Sequence, residues 1–146
     1  MRINCGVDPK TLSDEHLFAE QRELKMLPSY FRDHGFSSYS RIPSRFKLGE
    51  GYILFFAYRP KYTLDRYNRV FEECIRRGYS IQYEGWRWNV YGEDSRFLDF
   101  EEDDVCARAL IDRISQKTST SPKKFFHYYH KQISKEEVIK KLSENF

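Results

Sequence analysis

Leu17, Phe18, Leu24 and Leu27 recur at the three- and four-residue intervals of a helix, which this pattern predicts over residues 12–27. A T-x-x-D pattern from Thr11 to Asp14 caps its start, and Pro28 stops it. The face opposite the apolar stripe carries His16, Glu20 and Glu23, spaced so that they stack along one line. A second helix is predicted over residues 63–77, with Tyr67, Val70, Phe71, Cys74 and Ile75 inward, Arg76 and Arg77 in the last turn and Gly78 as C-terminal cap. The third runs over residues 103–116, with Val105, Ala109, Leu110 and Ile114 inward and acids in the first turn, where the helix dipole favours them. Residues 117–122 break it. A last short helix over residues 135–145 is announced by Ser134 with Glu137 three positions on, and supported by the Glu136–Lys140 and Glu137–Lys141 pairs.

Between these helices the pattern is irregular. Residues 29–61 are rich in Ser, Pro, Gly, Arg and aromatics, with one apolar run at residues 52–58, and read as a long packed connection. Residues 79–103 form an aromatic and then acidic loop in which Trp86 and Trp88, one residue apart, face one side of an extended segment. There is no internal repeat. The expected fold class is mostly α: a compact single domain over residues 1–146 with three core helices, long packed loops and residues 135–145 as a C-terminal helical extension. A chain of 146 residues buries a core without disulfide staples or a structural metal.

Composition narrows the class further. Cys5, Cys74 and Cys106 are odd in number and lack a CxxC pair, so they read as ordinary thiols of a reducing compartment. No run approaches the roughly 20 apolar residues of a membrane span, and the charged start has no apolar signal-peptide core behind it. The expectation is a soluble intracellular protein, in the cytoplasm of a bacterium or a virus-infected cell. The formal charge of +3 hides a segregation, because residues 93–104 hold seven acids and one arginine. Outside that stretch stand 24 of the 25 basic residues but only 15 of the 22 acidic ones, a net of +9. Nucleic acid is therefore the leading partner class.

The chemistry-bearing residues fall in two places. Residues 123–131, KKFFHYYHK, interleave Phe125, Phe126, Tyr128 and Tyr129 with lysines and two histidines, so that rings stack on bases while cations neutralise phosphates. The competing reading is that at least two of these rings plug the core. His127 and His130 with Cys106 or Cys5 make a poor metal set, and no metal is expected. The Gly49-Glu50-Gly51 turn lacks the ending of a phosphate loop and reads as a structural turn, with close backbone approach to DNA as the alternative. The second place is the chain's start, where Glu20, Arg22 and Glu23 follow closely on Met1-Arg2-Ile3-Asn4. An α-amino group ionises near roughly 7.7–8.0 against about 10.4 for lysine, so at neutral pH it is the better nucleophile.

These stretches carry a resemblance. RIN at residues 2–4, DEHLFAEQREL at 14–24, PSRFKLGEGYILFF at 43–56, ECIRRGYSI at 73–81, DRISQK at 112–117 and FFHYYHK at 125–131 together make the chain similar to the pyrimidine-dimer DNA glycosylases with apurinic lyase activity, the ultraviolet-repair endonucleases of T-even phages and algal viruses. The resemblance implies a terminal amine, here that of Met1, attacking the sugar C1′ of the 5′ base of a cyclobutane dimer to form an imine. The glutamate matching Glu23 then drives β-elimination, with no metal or cofactor. It further implies that Arg2, His16 and Arg22 contact phosphates and sugar around the lesion, and that Arg113 and Lys117 hold the backbone. The run Lys124, Phe125, Phe126, His127, Tyr128, Tyr129 and Lys131 would accommodate kinked DNA with a base extruded opposite the dimer. The implied partner is lesion-bearing double-stranded DNA, bound by a monomer.

The chain departs from the family pattern in several places. Met1 stands where those enzymes expose a threonine, one residue is inserted between Asn4 and His16, Lys25-Met26 replaces a further arginine, and His127 replaces a basic residue. Two other readings accordingly stand beside the first: a related glycosylase for another damaged or modified base, and a non-catalytic DNA-binding module of the same fold. All three share a basic face, so affinity for duplex DNA should fall steeply between about 50 and 200 mM salt when several phosphates are neutralised. A flat response in a fluorescence-anisotropy titration would refute that face.

Overall fold

The first helix begins where its orphan N–H groups find an acceptor. Ser13 is extended and its hydroxyl accepts from the His16 N–H, so α1 spans Asp14–His34 with Asp14 and Glu15 in the first turn. The structure is a computed structural model that describes residues 3–37, 39–46, 48–49 and 51–146. Thr11, the predicted cap, instead closes a 3-10 turn, Pro9–Thr11, by donating its hydroxyl to the Asp8 carbonyl. α1 also runs straight through Pro28, its predicted stop, to end at Gly35. A proline inside a helix costs about 3 kcal/mol, which the burial of Phe31 beyond it, worth roughly 1.5–3 kcal/mol, and the packing of Tyr30 on the core offset. Phe31 packs against Tyr58, Tyr91 and Phe97, and Pro28 is itself buried.

The segment read as a connection contains a helix, α2, Tyr52–Ala57, too short for its period to show in sequence. Gly49 and Gly51 on its approach have φ of +90° and +91°, which is why glycine stands at both; Glu50 between them lies outside the described residues. α3, Pro60–Arg76, starts three residues earlier than predicted, with proline in its first turn. It ends as predicted at Gly78, whose φ is +85° and whose N–H bonds the Ile75 carbonyl. Tyr62, Thr63, Tyr67, Val70 and Cys74 point inward, but Ile75 is exposed, and further inward positions belong to charged residues, Arg66, Glu73 and Arg77.

The two tryptophans do not share a side. They sit in a 3-10 turn, Gly85–Tyr91, which buries Trp88 with its indole N–H on Thr63 at 3.0 Å and leaves Trp86 60% exposed. α4, Asp104–Thr120, is capped by Asp103 and continues through Lys117 past its predicted end. Its inward stripe is Cys106, Leu110, Ile114 and Thr118, so Val105, one position off that i, i+4 row, faces solvent.

The aromatic run is the largest departure from the helical reading. β1, Phe125–Tyr128, and β2, Lys131–Ser134, form an antiparallel hairpin in which Phe126 faces Ile133 across the ladder. Its two-residue turn, Tyr129 and His130, has positive φ at both positions, normally the place of Asn or Gly. Here one side chain compensates: the two turn N–H groups donate to the two oxygens of Asp14 at 3.1 and 2.9 Å. α5, Lys135–Leu142, follows directly, capped by Ser134 as predicted, and its last three expected residues form a 3-10 turn instead. The fold is mostly α, as the periodicities imply. All three cysteines are free and buried, and among the described residues no helix is long and apolar enough to cross a membrane.

The acidic segment is tied into this frame by Glu102, which accepts from Tyr62 at 2.7 Å and from Arg69 at 2.8 and 3.2 Å. Burial works to raise its pKa, but the Arg69 and Tyr62 bonds prevail and hold it at about 2. A depressed carboxylate stabilises the fold fully above its unfolded value near 4.5 and loses that contribution as pH falls toward about 2. Glu102→Gln should therefore cost on the order of 2–3 kcal/mol at pH 7 in urea denaturation, with the gap to the parent closing across that acid window.

Candidate active site

α1 carries most of the site, and its first turn sets His16. Ser13 Oγ lies 2.8 Å from His16 Nδ1, and the ring stacks on Phe126 with centroids 5.5 Å apart. Burial removes water from the imidazole and the Lys123 cation adds to the effect, outweighing Glu15, so the ring's pKa is pushed down to about 4. His16 is thus a neutral hydrogen-bonding group at neutral pH, not a cation for phosphates.

His16 lines a cavity of about 180 Å³ with Asn4, Ala19, Glu20, Leu110 and Ile114, and α4 adds Arg113 and Lys117 one turn apart. The structure thereby gathers four of the residues singled out from sequence, His16, Glu20, Arg113 and Lys117. Arg113 Nε is buried without a hydrogen-bond partner among the described residues, a deficit that an entering phosphate oxygen would remedy. Glu20 is buried on the same side and holds the N-terminal segment: its two oxygens accept from the Asn4 N–H and side-chain amide, each at 3.1 Å.

One turn further along α1, Glu23 is 4% exposed and accepts a hydrogen bond from the Tyr52 hydroxyl. The acids Glu20 and Glu23 are therefore interior, although they stand on the face opposite the apolar stripe. Arg22 beside Glu23 is exposed and lines a wider cavity of about 440 Å³ with Lys25, Met26, Tyr30 and Arg87. Lys25 pairs with Glu84 at 2.5 Å, and Glu84 also holds Arg87 at 2.8 Å, so the cations on this stretch are linked through one carboxylate. Met1 and Arg2 lie outside the described residues.

The hairpin docks against the start of α1, away from Glu23, and most of its rings are already engaged. Phe126 is buried, and the Tyr128 and Tyr129 rings flank the Arg77 guanidinium at 4.6 and 4.9 Å. Tyr128 donates to the Lys10 carbonyl and Tyr129 to Glu73, while His127 pairs with Glu15 at 2.7 Å. Phe125, Lys124 and Lys131 remain exposed. Asn4, Tyr52 and Arg87 are the neighbours that the sequence did not assign to the site. For Tyr52 there was no signal, since α2 itself was not legible. For the buried charges there was one: Arg66, Glu73 and Arg77 occupy helical-stripe positions where apolar residues belong.

A family model described as pyrimidine dimer DNA glycosylase matches residues 1–85, a stretch that takes in α1, α2, α3 and the carboxylates Glu20 and Glu23. α4 and the hairpin lie beyond the match.

The low pKa of His16 has a direct consequence. Folding stability due to the neutral ring is complete above the unfolded value of 6.5 and declines as pH falls through about 4. Proton NMR should show the His16 ring signal unmoved from pH 8 to about pH 5. A midpoint between pH 6 and 7 would mean that the ring is solvated.

Proposed function

The chain belongs to the pyrimidine dimer DNA glycosylase family, and from that premise we propose that this DNA repair glycosylase is bifunctional, cutting the strand through an imine after removing the base. The α-amino group of Met1 attacks C1′ of the 5′ nucleotide of a cyclobutane dimer. The glycosidic bond breaks and its electron pair leaves with the base; the amine then passes a proton to the ring oxygen, and its lone pair breaks the C1′–O4′ bond, leaving a protonated imine and a free 4′ hydroxyl on the opened sugar. Glu23 stabilises the positive charge that develops on the sugar. It then takes the C2′ proton, and the electrons of that C–H bond expel the 3′ phosphate in β-elimination. The chemistry calls on an amine and a carboxylate alone, with neither metal nor cofactor. Residues 1–146 act together as one domain and as a monomer.

The observation that carries this reading is the placement of Glu23. It is a buried carboxylate, bonded by Tyr52, one helical turn from the point where Glu20 grips Asn4 near the chain's start. The three residues from Glu20 to Glu23 are about 4.5 Å of rise, a little under a full turn, so the acid and the anchored segment share one side of α1. Around them the duplex is held by Arg2, Arg22 and Lys25, by Arg113 and Lys117 across the smaller cavity, and by Lys124 and Lys131 on the hairpin. With Phe126, Tyr128 and Tyr129 engaged internally, exposed rings that offer a stacking surface to an extruded base include Phe125 and Trp86.

Glu23→Gln should bind dimer-containing duplex within about threefold of the parent yet lose strand cutting by 10²-fold or more, since proton transfer needs the carboxylate and phosphate contact does not. Borohydride added to the parent reaction should trap a covalent protein–DNA adduct. Cutting retained by Glu23→Gln, or an adduct formed equally after the terminal amine is acetylated, would remove these two groups from the mechanism.

A further inference from the structure

Arg66 is the largest fully buried side chain, and its guanidinium meets Glu20 twice, Nε to Oε2 at 2.7 Å and a terminal nitrogen to Oε1 at 2.9 Å. Neither side chain has any exposure. Each end of this pair then reaches into the same short segment, residues 4–7. Glu20 accepts both donors of Asn4, and the remaining arm of Arg66 donates to the Val7 carbonyl at 2.7 Å. Between those two points the Val7 N–H closes a turn onto the Asn4 carbonyl, and Gly6 has a φ of +82°. A Cβ on Gly6 would stand 2.9 Å from the Ala107 side chain, so the turn lies directly on α4. The segment is thus held by α1, α3 and α4 at once.

A buried ion pair is a poor source of stability, because apolar residues of similar volume often do as well or better. What such residues lack is three directed hydrogen bonds to one short segment. A chain advances at most about 3.6 Å per residue, so holding Asn4 and Val7 in place limits how far anything joined to them can range. Confinement of a nucleophile beside its partner acid is a large rate effect.

We infer that the Arg66–Glu20 pair is a positioning device for the nucleophile, holding Asn4 and Val7 so that the terminal amine is presented to Glu23 and the sugar. This rests on the amine reading given above. It makes Glu20, Arg66 and Asn4 positioning residues that act on the rate of imine formation without touching DNA.

The test is single-turnover borohydride trapping on an abasic-site duplex at saturating protein, with binding measured separately without borohydride. A double variant, Glu20→Met with Arg66→Met, replaces the pair by apolar side chains and is expected to stay folded with a melting temperature near the parent's. Its DNA affinity should remain within about threefold while adduct formation slows by at least tenfold. Asn4→Ala removes one of the three bonds and leaves the pair intact; it should slow trapping several-fold with affinity and melting temperature unchanged. Should the double variant unfold, Asn4→Ala decides. Trapping at the parental rate by a folded double variant, or by Asn4→Ala, overturns the inference. Failure of the parent itself to be trapped instead overturns the amine reading, and the two failures are therefore distinguishable.

Discussion

One buried contact, that between Arg66 and Glu20, joins the three parts of the molecule on which the site depends. It ties α3 to α1 and both to the N-terminal segment, with no water to compete for its hydrogen bonds. In a low-dielectric interior an unpaired member of such a pair would cost several kcal/mol, so each side chain can settle only where the other is. The geometry is correspondingly narrow. Glu20 has every lone-pair direction occupied by Arg66 or Asn4, and Arg66 spends its three nitrogens on Glu20 and Val7.

A second buried cluster repeats the device one and a half turns earlier on α1. Asp14 and Glu73 bracket Arg77, and Asp14 in addition receives the two N–H groups of the hairpin turn. The left-handed backbone of Tyr129 and His130 is therefore not a local preference of those residues but an outcome of tertiary contact. From Asp14 to Glu23 the helix rises about 13 Å. Over that distance it presents in succession an anchor for the hairpin, a neutral histidine, an anchor for the chain's start and a buried acid. Its extra length beyond Pro28 lies in the aromatic core and keeps this row rigid.

The charge segregation seen along the sequence acquires a physical meaning here. Glu102 is spent on Arg69 and Tyr62, Asp103 on the cap of α4 and Asp94 on Arg96, so several acids of residues 93–104 are satisfied at home. The cations Arg113 and Lys117, by contrast, line the cavity beside Asn4 and His16. A molecule of small net charge can in this way offer a basic surface to a polyanion while keeping its acids as internal fasteners.

Periodicity alone disclosed the three main helices, the Gly78 and Ser134 caps and the mostly α class, because each depends on intervals of three or four residues that a helix imposes wherever it packs. The family-specific blocks likewise brought forward Glu23, His16, Arg113 and Lys117, each a single side chain at a set register. Long-range partnership was not legible. Nothing local tells that Pro28 lies mid-helix, that KKFFHYYHK folds as a hairpin, that His16 is neutral or that Glu20 and Arg66, 46 residues apart, share one bond. Those outcomes turn on burial and on which charges meet inside, quantities that exist only once α1, α3 and α4 have closed around the beginning of the chain.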